Sequence, residues 1–157
     1  MNYKLVENLE DIKNVSMMSS IIWPIAYKDI LSIEQIQYML NKYLSIDSIK
    51  EAINDGYTFI NILNDKNDIV GFLSYKLNVD KLFLSKLYIL PKYQNKGYAS
   101  KAIEYLRGFN LPIELTVNKN NKKAYEKYQH LGFKNIKSVI TDIGNSYVMD
   151  DYVMLLK

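Results

Sequence analysis

Two rhythms of apolar residues alternate along the chain. Tyr3 to Val6 opens it as a short strand, and Ile12, Val15 and Met18 then recur at helical spacing, predicting a helix over Glu10 to Ile22 that Pro24 breaks. Ser32-Ile33-Glu34-Gln35 has the form of a capping box, and Ile33, Ile36, Leu40 and Leu44 line one face of the helix it starts. Ile46, Ile49 and Ile53 mark a further short helix stopped at Gly56. The rhythm then changes. Tyr57 to Leu63 and Ile69 to Leu77 read as strands joined by the polar turn Asn64 to Asp68, the mark of a hairpin. Leu82 to Leu90 is a third strand, ended by Pro91, which lacks a ladder donor.

Beyond it, Ala99, Ala102, Ile103 and Leu106 fall at helical spacing, so a helix runs to about Phe109. A strand at Ile113 to Val117, a helix from about Asn121 to Leu131 and two closing strands, Phe133 to Asp142 and Asp151 to Leu156, complete the reading. Strands alternating with helices and ending in an antiparallel pair predict an α/β fold with a mixed sheet. No linker, repeat or low-complexity block interrupts residues 1–157, so a single domain is expected.

Composition narrows the picture only a little. With 157 residues, 48% of them hydrophobic, the chain can bury a core without disulfides, and it has no cysteine, which excludes an acyl-cysteine intermediate. No run of apolar residues is long enough to span a membrane and the N-terminus lacks signal-peptide character, so we expect a cytoplasmic protein with no membrane partner. Nineteen lysines against the single Arg107 point to compositional bias. Lys96-Gly97-Tyr98-Ala99 matches half of an RNA-recognition signature, but the following residues continue as a helix. The net charge is only +3. No nucleic-acid partner is expected.

The turn between Pro91 and the helix carries the chemistry. Gly97 lets a ligand approach the backbone without a Cβ in the way, and the unpaired N–H groups of the helix start, over residues 95 to 100, favour an anion such as phosphate. Lys92, Lys96 and Lys101 flank this turn, and Lys119, Lys122 and Lys123 flank the next helix start. In that next helix Asn121, Ala124 and Tyr128 share one face, so an amide, a small gap and a phenol look the same way. His130 lies about 200° round from Tyr128 and is read as exposed.

Gln94-x-x-Gly97-x-Ala99, followed by Asn121-x-x-Ala124-x-x-x-Tyr128-x-x-x-Gly132-Phe133, resembles the two signature blocks of the GCN5-related N-acetyltransferase (GNAT) superfamily. The resemblance covers the C-terminal half well and the N-terminal half loosely. It implies a strongly twisted sheet of six to seven strands, flanked by helices, whose fourth and fifth strands splay apart to admit acetyl-CoA as cosubstrate. It assigns backbone contacts with the acetyl and pantetheine groups to Leu87, Tyr88 and Ile89. The pyrophosphate goes to the turn at Gln94, Asn95, Lys96, Gly97, Tyr98, Ala99 and Ser100. Asn121 beside Ala124 would hold the pantetheine arm, and Tyr128 would donate a proton to the departing thiolate.

The implied activity is direct acetyl transfer to a primary amine of a small molecule, with a protein N-terminus or lysine as the competing acceptor and a non-catalytic acyl-CoA-binding module as the reading from another class. An alkylamine is only about 0.04% neutral at pH 7, so a base or a desolvating pocket is needed. Some members carry a glutamate where this chain has Thr116; Glu114 is the nearby acid, and no base is assigned. Trp23, Tyr27, Asp151 and Tyr152 are the candidates for binding a cationic acceptor, with Asp29, Glu34 and Asp150 as further carboxylates. Trp23-Pro-x-x-Tyr27 and the C-terminal residues from Asp150 loosely resemble bacterial polyamine-acetylating members. The protein is expected to be a monomer or homodimer.

Overall fold

The computed structural model describes residues 2–157, and the fold follows from where each strand finds its partner. The elements run β1 (Asn2–Leu5), α1 (Leu9–Ala26), α2 (Ile33–Leu44), α3 (Ile46–Asn54), β2 (Tyr57–Leu63), β3 (Ile69–Leu77), β4 (Leu82–Ile89), α4 (Tyr98–Arg107), β5 (Ile113–Asn118), α5 (Lys122–His130), β6 (Lys134–Gly144) and β7 (Tyr147–Leu156). The seven strands form one sheet in the order β1-β2-β3-β4-β5-β7-β6, and among the described residues only the β4–β5 pair is parallel. Helices cover both faces. Ala99, Ala102, Ile103 and Leu106 of α4 join Ile60, Leu73, Leu82, Ile113 and Met154 in one core cluster. Ile12, Val15, Ile22, Trp23, Ile36, Met39 and Ile49 of α1 to α3 meet Phe59 and Phe72 in the other.

Three sequence expectations are corrected. Pro24 does not break the first helix but sits inside its last turn, because buried Ile22 and Trp23 anchor that turn to the core and Tyr27 N–H closes it on Trp23 C=O. Ile33 is 75% exposed; as the first residue of α2 it lies clear of the packed face, and Ile36, Met39 and Leu44 carry the burial. The last hairpin is longer than expected, with β6 and β7 joined through Asn145 and Ser146, both at positive φ (54° and 64°), as a two-residue turn between twisted strands requires.

A bulge in the middle of β4 positions the site. Tyr75 pairs with Leu84 but Ser74 pairs with Lys86, so Ser85 is an extra residue. One extra residue reverses which side chains face which way. Leu82 and Leu84 face the α4 side before the bulge, whereas after it Leu87 and Ile89 face that side and Tyr88 turns toward α1. A bulge also bends its strand, and the parallel pairing with β5 stops at the same point: only Leu82–Ile113 and Phe83–Glu114 are paired. Beyond Phe83 the two strands part, the splay that the resemblance implied.

Opposite the end of β4, Gly71 leaves no room for a side chain, since a Cβ there would lie 2.3 Å from Tyr88 O and 2.9 Å from Ile89 Cδ1. Gly71→Ala is expected to push β4 from its seat and destabilise the fold by about 2 kcal/mol, the scale of overpacking. A lowered urea midpoint with an unchanged slope is the measurement that checks it.

Candidate active site

A cleft of about 1260 Å³ opens where β4 and β5 part. Leu90 N–H bonds Val70 C=O, so by the alternation of an antiparallel ladder the N–H and C=O of Ile89 point away from β3 into the split. The Ile89 carbonyl is taken by Gln94 Nε2 at 3.0 Å. The first residue of the glycine-turn motif thus fastens the turn to the strand end, while the Ile89 N–H remains a donor at the mouth of the gap. Leu87, Tyr88, Ile89, Asn95, Ala99 and Ser100 also line the cleft.

The turn itself is built for close approach. Asn95 and Gly97 are left-handed (φ 62° and 86°), and a Cβ on Gly97 would meet nothing within 4 Å. Alternating backbone handedness before a helix start turns successive N–H groups to one side, a setting that favours an anion. Lys96 and Tyr98 border a second, smaller groove of about 550 Å³ together with Lys92 and Tyr93. Ala99 is buried in the α4 core and also borders the cleft. The open turn beside the parted strands fits the phosphate and thioester ends of an acyl-CoA.

On the β5 side, Asn121 caps α5: its Oδ1 accepts from Ala124 N–H at 3.2 Å, which leaves its amide N–H₂ as the group free to donate. Ala124 and Tyr128 follow on the same face, and all three border the cleft. Tyr128 packs edge-on against Phe133 at 5.5 Å and makes no side-chain hydrogen bond among the described residues. Burial, and secondarily Tyr27, pushes its pKa well above the ordinary phenol value, so it keeps its proton across the working pH range. His130 is exposed, as expected.

Opposite stands a cluster that the sequence did not announce as one. Tyr27 and Tyr88 hydroxyls lie 2.9 Å apart, and the Trp23 ring touches both, with centroids at 5.0 and 5.7 Å. Burial raises the pKa of Tyr27 and of Tyr88, and Asp151 adds to both. Asp151 is 5% exposed with no hydrogen-bond partner for its Oδ1. Burial and the adjacent Asp150 raise its pKa to about 6, against the opposing pull of Lys119. Tyr27, Tyr88, Tyr128 and Asp151 are therefore near neighbours across the gap, although they come from α1, β4, α5 and β7.

Tyr88 had been assigned backbone contacts alone; the bulge is what turns its side chain toward Trp23 and Tyr27 of α1. Tyr152 is a correction. It follows Asp151 on β7, so its side chain takes the other sheet face, where it packs against Tyr125 at 5.2 Å with Lys119 Nζ 5.5 Å from its ring, away from the cleft. Asp29 and Glu34 are exposed and outside the cleft, and Asp150 pairs with Lys119 at 2.9 Å. Glu114 is tied to Lys81 at 3.1 Å and does not line the cleft, whereas Thr116 does.

The sequence profile of the Acetyltransferase (GNAT) family matches residues 18–133. The chain belongs to the GNAT family. Among curated relatives, an uncharacterized N-acetyltransferase of Staphylococcus aureus is 41% identical over 59 residues, and this match spans 38% of each chain. Among solved structures, the PaiA N-acetyltransferase of Thermoplasma acidophilum in complex with coenzyme A superposes with a TM-score of 0.75 at 21% identity, covering 100% of this chain and 99% of that one. A chimera of the spermidine N-acetyltransferase SpeG from Vibrio cholerae gives 0.69 at 19% identity over 99% and 95%. At these identities the likeness shows that this GNAT chain has their fold.

A carboxylate buried without donors costs stability. The native pKa of Asp151, about 6, lies above its ordinary 3.8, so between those values the folded state holds a proton that the unfolded state has lost. The penalty is absent below about pH 4, grows as pH rises through 6 and is complete above it. Asp151→Asn should therefore raise the melting temperature at pH 8 and leave it unchanged near pH 4, as thermal unfolding across that range would show.

Proposed function

We propose that this GNAT-family chain is an acetyl-CoA-dependent N-acetyltransferase acting on a primary amine of a small molecule. The observation that carries the reading is the parting of β4 from β5, with the Ile89 N–H, the Tyr128 hydroxyl and the Asp151 carboxylate on its walls. Acetyl-CoA would supply the activated acyl group. The turn from Gln94 to Ser100 would bind its pyrophosphate through backbone N–H groups, and Asn121 would hold its pantetheine arm.

Acceptor and protein groups account for the rest. An incoming ammonium would pair with Asp151, whose raised pKa suits it to accept the proton that must leave before the nitrogen attacks. The new C–N bond would form as the C–S bond breaks. Charge developing on the carbonyl oxygen would be met by the Ile89 N–H, and the departing thiolate would take the Tyr128 proton. One proton is released overall for each amide formed. A phenol held protonated beside the gap favours the enzyme over a pure binding module, which needs no acid there.

A polyamine is the form of acceptor expected from the sequence, and Glu51, Asp55 and Asp151 in the cleft lining favour a cationic molecule. Lys42 and Lys86 in the same lining oppose a second positive charge. A protein N-terminus or lysine would need a cleft open enough for a peptide, and peptide acceptors belong beside small amines in any assay.

Binding of acetyl-CoA is tested by thermal unfolding. At a hundredfold excess over the dissociation constant it should stabilise the protein by about 2.7 kcal/mol, and Gly97→Glu should abolish the gain by adding bulk and like charge where phosphate would lie. An unmoved melting curve in millimolar acetyl-CoA would overturn the reading.

Tyr128→Phe keeps the ring and removes the acid. Thiol release in single-turnover kinetics should slow by about 10²-fold with acetyl-CoA affinity little changed. An unaltered chemical step would assign the proton to another donor.

A further inference from the structure

Lys86 and Trp23 give the acceptor wall two hydrogen-bond donors with too few acceptors. The bulge at Ser85 turns Lys86 to the cleft face of β4, where Nζ meets the Ser85 hydroxyl at 3.1 Å and lies 5.8 Å from the Phe59 ring centre. No carboxylate lies within ion-pair distance of it among the described residues. Its cross-strand neighbour Ser74 is fully buried with an unpartnered hydroxyl, whereas Lys86 itself is mostly buried. Burial alone lowers the Lys86 pKa to about 8, so at neutral pH the side chain is still mostly an ammonium, kept charged at a cost.

Trp23, in the last turn of α1, is 4% exposed, and its indole N–H finds no acceptor. Its ring lies against Tyr88, two residues along the strand from Lys86 and on the same side. Both residues line the cleft, and so does Asp151, an acceptor without a donor. Each buried polar group left unmade costs about 1–3 kcal/mol, more when charged. One ligand carrying the complementary groups would satisfy all three.

We propose that the acceptor is a zwitterion, a small molecule whose primary amine pairs with Asp151 and whose carboxylate or phosphate is held by the Lys86 ammonium and the Trp23 indole N–H. The proposal rests on reading the cleft as an acetyl-transfer site and names the class of acceptor for it. Lys86 and Tyr88 are about 7 Å apart along the strand, and Tyr88 in turn is close enough to Asp151 to feel its charge. The length of the best-bound anionic amine would measure the separation of the two ends. A polyamine would instead bring a second ammonium against Lys86.

The test is calorimetric titration of the CoA-loaded protein with glycine, β-alanine, γ-aminobutyrate and O-phosphoethanolamine, set against alkylamines of matching length and spermidine. At least one anionic amine should bind about tenfold or more tightly than its uncharged match, and Lys86→Met should collapse that ratio toward one. Trp23→Phe should reduce it in part. Because Lys86→Met removes an unpaired buried charge, it should melt no lower than the wild type, which separates loss of the subsite from loss of the fold. The carboxylate and phosphate arms identify the head group. Alkylamines or spermidine binding as well as every anionic amine, or a preference that survives Lys86→Met, would overturn the proposal. Thiol release with acetyl-CoA, run in parallel, separates the two readings. A preference in binding without turnover of any amine keeps the zwitterion site and removes the transferase, whereas turnover of all amines without preference does the reverse.

Discussion

The architecture depends on two strands that begin a parallel ladder and fail to continue it. After Leu82–Ile113 and Phe83–Glu114, β4 follows β3 and β5 follows β7, and the backbone groups between them are left to whatever enters. Unpaired backbone within a sheet is costly unless water or a ligand satisfies it. Here the gap is held open from both sides. β4 is committed to β3 down to Ile89, with the Ile89 carbonyl fastened by Gln94, and β5 is paired with β7 along its whole length.

The bulge at Ser85 does two things with one residue. It bends β4 away from β5, and by shifting the side-chain alternation it sends Lys86 and Tyr88 to the α1 face while Leu87 and Ile89 stay in the α4 core. Without it, Lys86 and Tyr88 would share the face of Leu84, and an ammonium would be forced into the core. Strand curvature and the chemistry of the cleft wall are therefore a single structural event.

Around this wall the protein tolerates polar groups that folding alone would remove. Asp151 and Trp23, both in the cleft lining, bury side-chain atoms without partners among the described residues, and Lys86 in the same lining has no counter-ion. These are residues that a stability argument would replace with apolar ones.

The sequence by itself determined the elements and the shapes of the glycine turn and of the α5 start, because both are local. Periodicity marked the strands and helices, and the stretches from Gln94 to Ala99 and from Asn121 to Tyr128 are each short enough for geometry to follow from spacing. The opposite wall of the cleft was decided by tertiary structure. Tyr27, Tyr88 and Asp151 meet only because α1, β4 and β7 converge, and no spacing in the chain encodes that convergence. Tyr152 was chosen for its composition and lost to strand alternation, which gives Asp151 and Tyr152 opposite faces. Lys86 was indistinguishable from eighteen other lysines until a one-residue bulge turned it into a cleft and burial stripped it of water.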